Sequence, residues 1–377
     1  MGHKFFIGPI QWLANPKFKK THRILDGDIN NEMKRKTLAI FRILFFSSAM
    51  VLAQKFVPEE DTCYVFIGQD LEAIGGLDNY ADGYTDHFET PAGITVYTNL
   101  SPGNESYGYY NKGLDGIKAK ANWGAGDSWA NSYLQNATYE NSMIAIGLSF
   151  VNNEKEISKG KHDDLIEELA YWIKSTKRPV FLRIGYEFDG WQWNHYKKKP
   201  YLKVWQRIHS IFEAQQVDNV ALVWQSKGVG SNQKILEAWY PGDHLVDWVG
   251  YSYFGQPDQE MLVFARKHKK PVFIAEATPV RQMGSLFFDS DLKNEELAKV
   301  LWNEWFVPFF DTIKNYSDVV KAFSYINSDW SSQPMWITNP TFQKVDSRIQ
   351  VSKYLSQQWK TELEDLRYLN ASDVSWN

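Results

Sequence analysis

Eight short apolar runs, each followed by a longer and more polar stretch, constrain what this chain can fold into. They lie at 64–68, 94–98, 143–148, 180–184, 220–224, 248–251, 272–275 and 322–326. Nearly continuous apolar character over four to six residues suits strands covered on both faces, as in a parallel sheet. The intervening stretches predict helices, clearest at 163–175, 200–215, 257–268, 294–315 and 351–368, with Asp163, Asp164, Asp291 and Asn294 as helix starts. Eight strands alternating with helices over about 310 residues match an α/β fold of the (β/α)8 TIM-barrel type better than an open sheet. The segment 100–140, rich in Gly, Asn and Tyr, reads as a long loop. No Pro/Gly/Ser-rich linker and no repeat divides 54–377, so one catalytic domain is expected there.

The region before it reads differently. Residues 33–53 run from Met33 through Lys34, Arg35 and Lys36 into an apolar stretch, interrupted by Arg42, that ends in Val51 and Ala53. That order is a secretory signal peptide with cleavage ahead of Gln54. Residues 1–32 then read as an over-extended start or leader, and the protein is expected to be secreted or periplasmic. Without residues 1–53 the chain loses nine Lys/Arg and three Asp/Glu, and its net charge goes from -4 to -10. No basic footprint for nucleic acid is present, and no later stretch approaches the roughly 20 apolar residues of a membrane span. The single cysteine, Cys63, excludes a disulfide framework within the chain and a multi-cysteine metal site. The eight His show no short ligand spacing, so no metal is expected.

Active sites of such barrels lie at the carboxyl ends of the strands. Two glutamates stand there: Glu187 in Arg-Ile-Gly-Tyr-Glu-Phe-Asp-Gly after the fourth run, and Glu276 in Phe-Ile-Ala-Glu-Ala at the seventh. Strands four and seven face each other across a barrel mouth, so the two carboxyls are expected to approach. Glycoside hydrolysis needs such a pair, one protonated to assist the leaving oxygen and one to attack the sugar carbon. The competing possibility is that either glutamate merely pairs with an arginine such as Arg183 or Arg281.

These two motifs, with Trp-Asn-His-Tyr at 193–196, resemble clan A glycoside hydrolases, most closely family 26, over roughly 64–368. The resemblance implies a retaining double displacement, with Glu187 as acid/base and Glu276 as nucleophile. It also implies a tyrosine after strand six bonded to the nucleophile, Tyr253 ahead of Tyr251, and Trp330 as a sugar platform. The mannanase pattern places His before the acid/base; here Tyr186 stands there, closer to the β-1,3-xylanase branch.

Aromatic residues make up 16% of the chain, and those at strand ends suit the flat C–H faces of sugars. Trp191, Trp193, Tyr196, Trp224, Tyr253, Phe254 and Trp330 fall there, with Trp123 and Trp129 in the long loop. His195, Gln69 and Asp70 are candidate hydrogen-bonding partners for sugar hydroxyls. Trp172, Trp205, Trp302 and Trp305, inside predicted helices, are assigned to packing instead. Lys197–Lys199 reads as a solvated loop, or as a subsite for charged groups on a sulfated red-algal galactan. The expected protein is a monomeric endo-β-glycanase acting on a polysaccharide without cofactor, β-1,3-xylan ahead of β-mannan. The alternatives are a hydrolase of carrageenan- or agar-type galactan, or a non-catalytic carbohydrate-binding barrel.

Overall fold

The computed structural model describes residues 55–280, 282–283, 286–287 and 290–376. The leader 1–32, the signal-like stretch 33–53, and Arg281 lie outside the described residues. From Gln54 onward the chain forms one compact unit.

Eight parallel strands close on themselves: β1 (Cys63–Gly68), β2 (Gly93–Asn99), β3 (Met143–Ser149), β4 (Val180–Ile184), β5 (Val220–Ser226), β6 (Trp248–Tyr253), β7 (Val272–Ala277) and β8 (Val320–Ile326). Pairing of β8 with β1, Tyr64 opposite Ala322 through Gly68 opposite Ile326, seals the ring. A short β9 (Tyr368–Leu369) adds to the start of β1. All eight expected strands are present, each extended by at most two residues at either end.

The helices are α1 (Asp163–Thr176), α2 (Lys198–Ala214), α3 (Gln233–Trp239), α4 (Gln259–His268), α5 (Glu295–Leu301), α6 (Val307–Asn315) and α7 (Lys353–Leu363). The single helix expected at 294–315 is instead α5 and α6 joined by a π turn, Trp302–Phe306. Pro308 in the first turn of α6 has no N–H to give to the preceding turn, which accounts for the interruption. The long loop 100–140 contains two small hairpins, 105–110 and 121–128, and a short helix, Ala130–Leu134.

Strand parity divides the aliphatic and aromatic residues between two cores. Phe66, Met143, Ala145, Phe181, Val223, Trp248, Phe273 and Ala275 fill the barrel interior, while Leu182, Trp224, Tyr251 and Tyr253 face outward to the helices. Trp172, Trp205 and Trp305 are buried and Trp302 packs against the same outer core, as the sequence predicts. Burying this apolar surface, aliphatic and aromatic together, stabilises by roughly 25 cal/mol per Å2.

Candidate active site

Above the apolar interior, the next inward positions are polar: Tyr97 on β2, Arg183 on β4, Gln225 on β5, Ser252 on β6 and Glu276 on β7. A bulge in β7 brings Glu276 into phase. Tyr251 pairs with Ile274 and Ser252 with Glu276, so Ala275 is extra and the glutamate takes the inward parity of Ser252. On β3 the inward position is Gly147, where an added Cβ would lie 2.6 Å from the Tyr97 ring and 2.8 Å from Arg183 Nη2. The missing side chain is the space those two occupy.

Glu276 Oε1 accepts from Tyr97 Oη at 2.8 Å and Arg183 Nη1 at 2.7 Å. The Arg183 pairing considered for the sequence is therefore present, with the guanidinium fully buried against the rings of Tyr97 and Tyr186. Burial, and then the charge of Glu276, push the Tyr97 phenol well above its ordinary range, so it stays a donor.

Glu187 leaves β4 in a left-handed conformation, φ 50°, next but one to Gly185 at φ 55°. A Cβ at Gly185 would meet Phe150 at 2.5 Å and Tyr201 at 2.7 Å. Strain of this kind persists only where the surroundings enforce it. Here Asn194 Nδ2 donates to both Tyr186 O and Glu187 O, and Gly190 N donates to Glu187 O. Asp189 ties the same loop to β5 by accepting from Ser226 Oγ, Lys227 N and Ser231 Oγ.

The carboxyl of Glu187 accepts from Ser252 Oγ at 2.7 Å on Oε1 and from Trp193 Nε1 at 2.7 Å on Oε2. Burial first, then the negative charge of Glu276, raise it from the ordinary 4.5 to about 8, against the pull of those two donors. One carboxylate is thus ion-paired to an arginine, and the other, within its electrostatic reach, is held in the range where it carries a proton near neutrality. A charged and a protonated carboxyl side by side are the groups that acid-assisted displacement would need.

The remaining expected residues divide sharply. Trp193, bonded to Glu187, is 47% exposed, Trp191 in the same loop is 68% exposed, and Lys227 lies over the Trp193 ring. His195 is exposed, at φ 54°. Trp123 is half-buried, its indole donating to Asn111 Oδ1, and Gln69 is buried at the end of β1. Several other expected contacts are overturned. Trp224 has outward parity and is enclosed by Phe188, Tyr240 and Phe264, leaving no face for a sugar. Tyr253 is outward too, packed on Trp305 and Phe309; the tyrosine on Glu276 is Tyr97, contributed by β2. Trp330 is 2% exposed beneath Trp336 and Phe342. Tyr196 is buried against Phe150 and Tyr201, its Oη accepting from Phe150 N. Asp70 caps the short helix Leu71–Ile74 and accepts from Ser328 and Gln333, which uses up its oxygens within the protein. Tyr97, Gln225, Ser252 and Asn194 are the site residues that sequence reasoning missed.

A family model described as glycosyl hydrolase family 26 matches residues 42–332. The chain belongs to glycosyl hydrolase family 26. A β-1,3-xylanase from an Alcaligenes species is 33% identical over 345 residues, covering 86% of this chain and 68% of that protein. A second β-1,3-xylanase, from a Vibrio species, is also 33% identical over 345 residues, with 86% and 69% covered. Among solved structures, a family 26 β-mannanase from Bacteroides ovatus superposes with a TM-score of 0.52 at 14% identity, over 84% of this chain and 92% of that one. A modular endo-β-1,4-mannanase from Cellulomonas fimi gives 0.51 at 13%, over 84% and 74%. These structures share the barrel fold. As a family 26 member the chain is an O-glycosyl hydrolase, and a polysaccharide substrate fits that chemistry.

Proposed function

We propose that this family 26 enzyme is a secreted, monomeric, retaining endo-β-glycanase cleaving β-1,3-xylan in preference to β-mannan, with Glu187 as acid/base and Glu276 as nucleophile. The observation that carries the reading is the opposite treatment of the two carboxyls: Arg183 and Tyr97 donate to Glu276, whereas burial beside Glu276 keeps Glu187 protonated up to about pH 8. In the first step Glu276 bonds to the anomeric carbon as the glycosidic C–O bond breaks and the Glu187 proton passes to the leaving oxygen. In the second, Glu187 takes a proton from water as that water displaces Glu276. The xylan preference is supported by the identity to two β-1,3-xylanases and by Tyr186 in place of histidine before Glu187. Trp193, bonded to Glu187, and Trp191, exposed in the same loop, are proposed to stack the sugars. Secretion rests on the signal-like stretch 33–53, and mature protein should begin at Gln54 on N-terminal sequencing.

The galactan alternative draws on Lys197–Lys199, which stand exposed at the start of α2 with no contact to either glutamate among the described residues. The test is reducing-sugar release from β-1,3-xylan, β-mannan, carrageenan and agarose, by the parent and by Glu276→Ala. A ladder of xylo-oligosaccharides from the parent, abolished in the variant, is expected. Release from carrageenan or agarose alone would favour the galactan reading, and binding without release the non-catalytic one.

A further inference from the structure

The two glutamates are joined through the barrel interior by an unbroken file of side chains. Arg183 Nη1, besides its bond to Glu276 Oε1, lies 3.0 Å from Gln225 Oε1. Gln225 Nε2 lies 3.0 Å from Ser252 Oγ, and Ser252 Oγ 2.7 Å from Glu187 Oε1. Arg183, Gln225 and Ser252 are all fully buried. A guanidinium can only donate, so the Gln225 amide must present its oxygen to Arg183 and its NH2 to Ser252. Ser252 Oγ therefore accepts from Gln225, and its own hydrogen is aimed at Glu187. Every donor in the file points away from the arginine.

We infer that Gln225 and Ser252 are positioning residues that decide which oxygen of Glu187 carries the catalytic proton. One buried guanidinium engages Oε1 of both glutamates, directly at Glu276 and by relay at Glu187. Glu187 Oε1 is held as an acceptor, because Arg183 fixes the Gln225 amide and Gln225 in turn fixes the Ser252 hydroxyl. Among the described residues its Oε2 is held only by the half-exposed Trp193 indole, which can yield. Glu276 Oε2 accepts from no donor among the described residues. The two Oε2 atoms are the reacting ones: the Glu187 Oε2–H bond breaks as the proton joins the leaving oxygen, and Glu276 Oε2 forms the bond to the anomeric carbon. This deepens the acid/base reading of Glu187 and rests on it.

Glu187 is faced by Glu276 from β7, Asp189 from its own loop, the phenols of Tyr186 and Tyr196, Arg183 from β4 through the relay, and Lys227 above Trp193. Changing Ser252 touches none of these directly, whereas changing Gln225 also alters the Arg183 contact, so the Ser252 variant is the cleaner probe. Ser252→Ala removes the relay's last donor, so the carboxyl should titrate about one pH unit higher. Gln225→Glu keeps the shape and reverses the file, since an acceptor there draws the Ser252 hydrogen away from Glu187 and adds a negative neighbour; its shift should be at least as large. Gln225→Leu should give a smaller upward shift, and adding Ser252→Ala to Gln225→Leu should bring the total no higher than Ser252→Ala alone.

The experiment is titration of the Glu187 carboxyl in the full-length folded protein, by infrared difference spectra against Glu187→Gln, with no ligand added. The pH profile of kcat/KM on β-1,3-xylan accompanies it. Upward shifts in the stated order, with its basic limb moving alike, are expected. Unshifted titration in folded Ser252→Ala and Gln225→Glu would overturn the relay. Failure of the acid/base reading itself would look different: a normal infrared series with Glu187→Ala as active as the parent on xylan.

Discussion

Replacing Glu187 by Gln should stabilise the folded protein, increasingly so as the pH rises. In the native state the Glu187 carboxyl is raised from 4.5 to about 8 by burial and by Glu276. Between those values the folded chain holds a proton that the unfolded chain has released, so native stability falls as pH climbs through that window. Below pH 4.5 both states are protonated and the penalty vanishes; above pH 8 it is complete. At 1.36 kcal/mol per unit the full penalty is about 5 kcal/mol. Gln avoids it, but turns an NH2 toward one of the two donors, Ser252 or Trp193, and forfeits a hydrogen bond of about 1 kcal/mol. A gain of about 3–4 kcal/mol remains at pH 8, and about zero at pH 5. With an unfolding entropy of about 2.1 cal/mol/K per residue, a unit of this size should melt about 5 °C higher at pH 8. Scanning calorimetry of parent and variant at pH 5 and pH 8 measures the difference of differences, which cancels the titration of groups that do not interact with Glu187. A Tm gap that is the same at both pH values would refute the reasoning.

Other perturbations separate the chemistry from the scaffold. Tyr97→Phe removes one of two donors on Glu276 Oε1 and should lower kcat/KM by about ten- to a hundredfold with little change in KM; an unaltered rate would remove Tyr97 from the site. Trp224→Ala should cost about 3–5 kcal/mol in urea unfolding while leaving KM alone, whereas Trp193→Ala should raise KM and leave the unfolding midpoint nearly fixed. Glu187→Ala should lose most activity on polymer and less on aryl glycosides with good leaving groups, which need no proton; equal losses would deny the acid role.

The barrel was legible because a strand buried on both faces can tolerate little but apolar residues, and each of the eight shows as a run. The helix α3 was not, because it is one short stretch in which only Leu236 is buried, and its Asn232 cap looks like any loop asparagine. Glu187 and Glu276 stood out because a carboxylate ending an apolar strand needs a reason. Their partners did not stand out. Tyr97 sits within a run that reads as plain core, Gln225 opens a polar Gln-Ser-Lys stretch after one, and Ser252 follows one as a lone polar residue before Tyr253. Their meaning comes from pairing across five strands, β2 and β4 to β7, which no local pattern reports. The two misplaced strand aromatics share one cause. Position after a run places a residue at the barrel's upper rim, but parity decides whether it points into the barrel or out to the helices. Trp224 and Tyr253 have the outward parity. For Glu276, simple alternation from Phe273 and Ala275 would have given the wrong face; the bulge corrects it.

The most direct test of the account is to trap the glycosyl-enzyme. The protein is incubated with a 2-deoxy-2-fluoro β-xyloside bearing a good leaving group, then digested and sequenced by mass spectrometry. The account predicts one added sugar, on the peptide containing Glu276 and esterified to that residue, with no label in Glu276→Ala. A label on any other residue, or turnover that releases inverted sugar with no adduct, would contradict it.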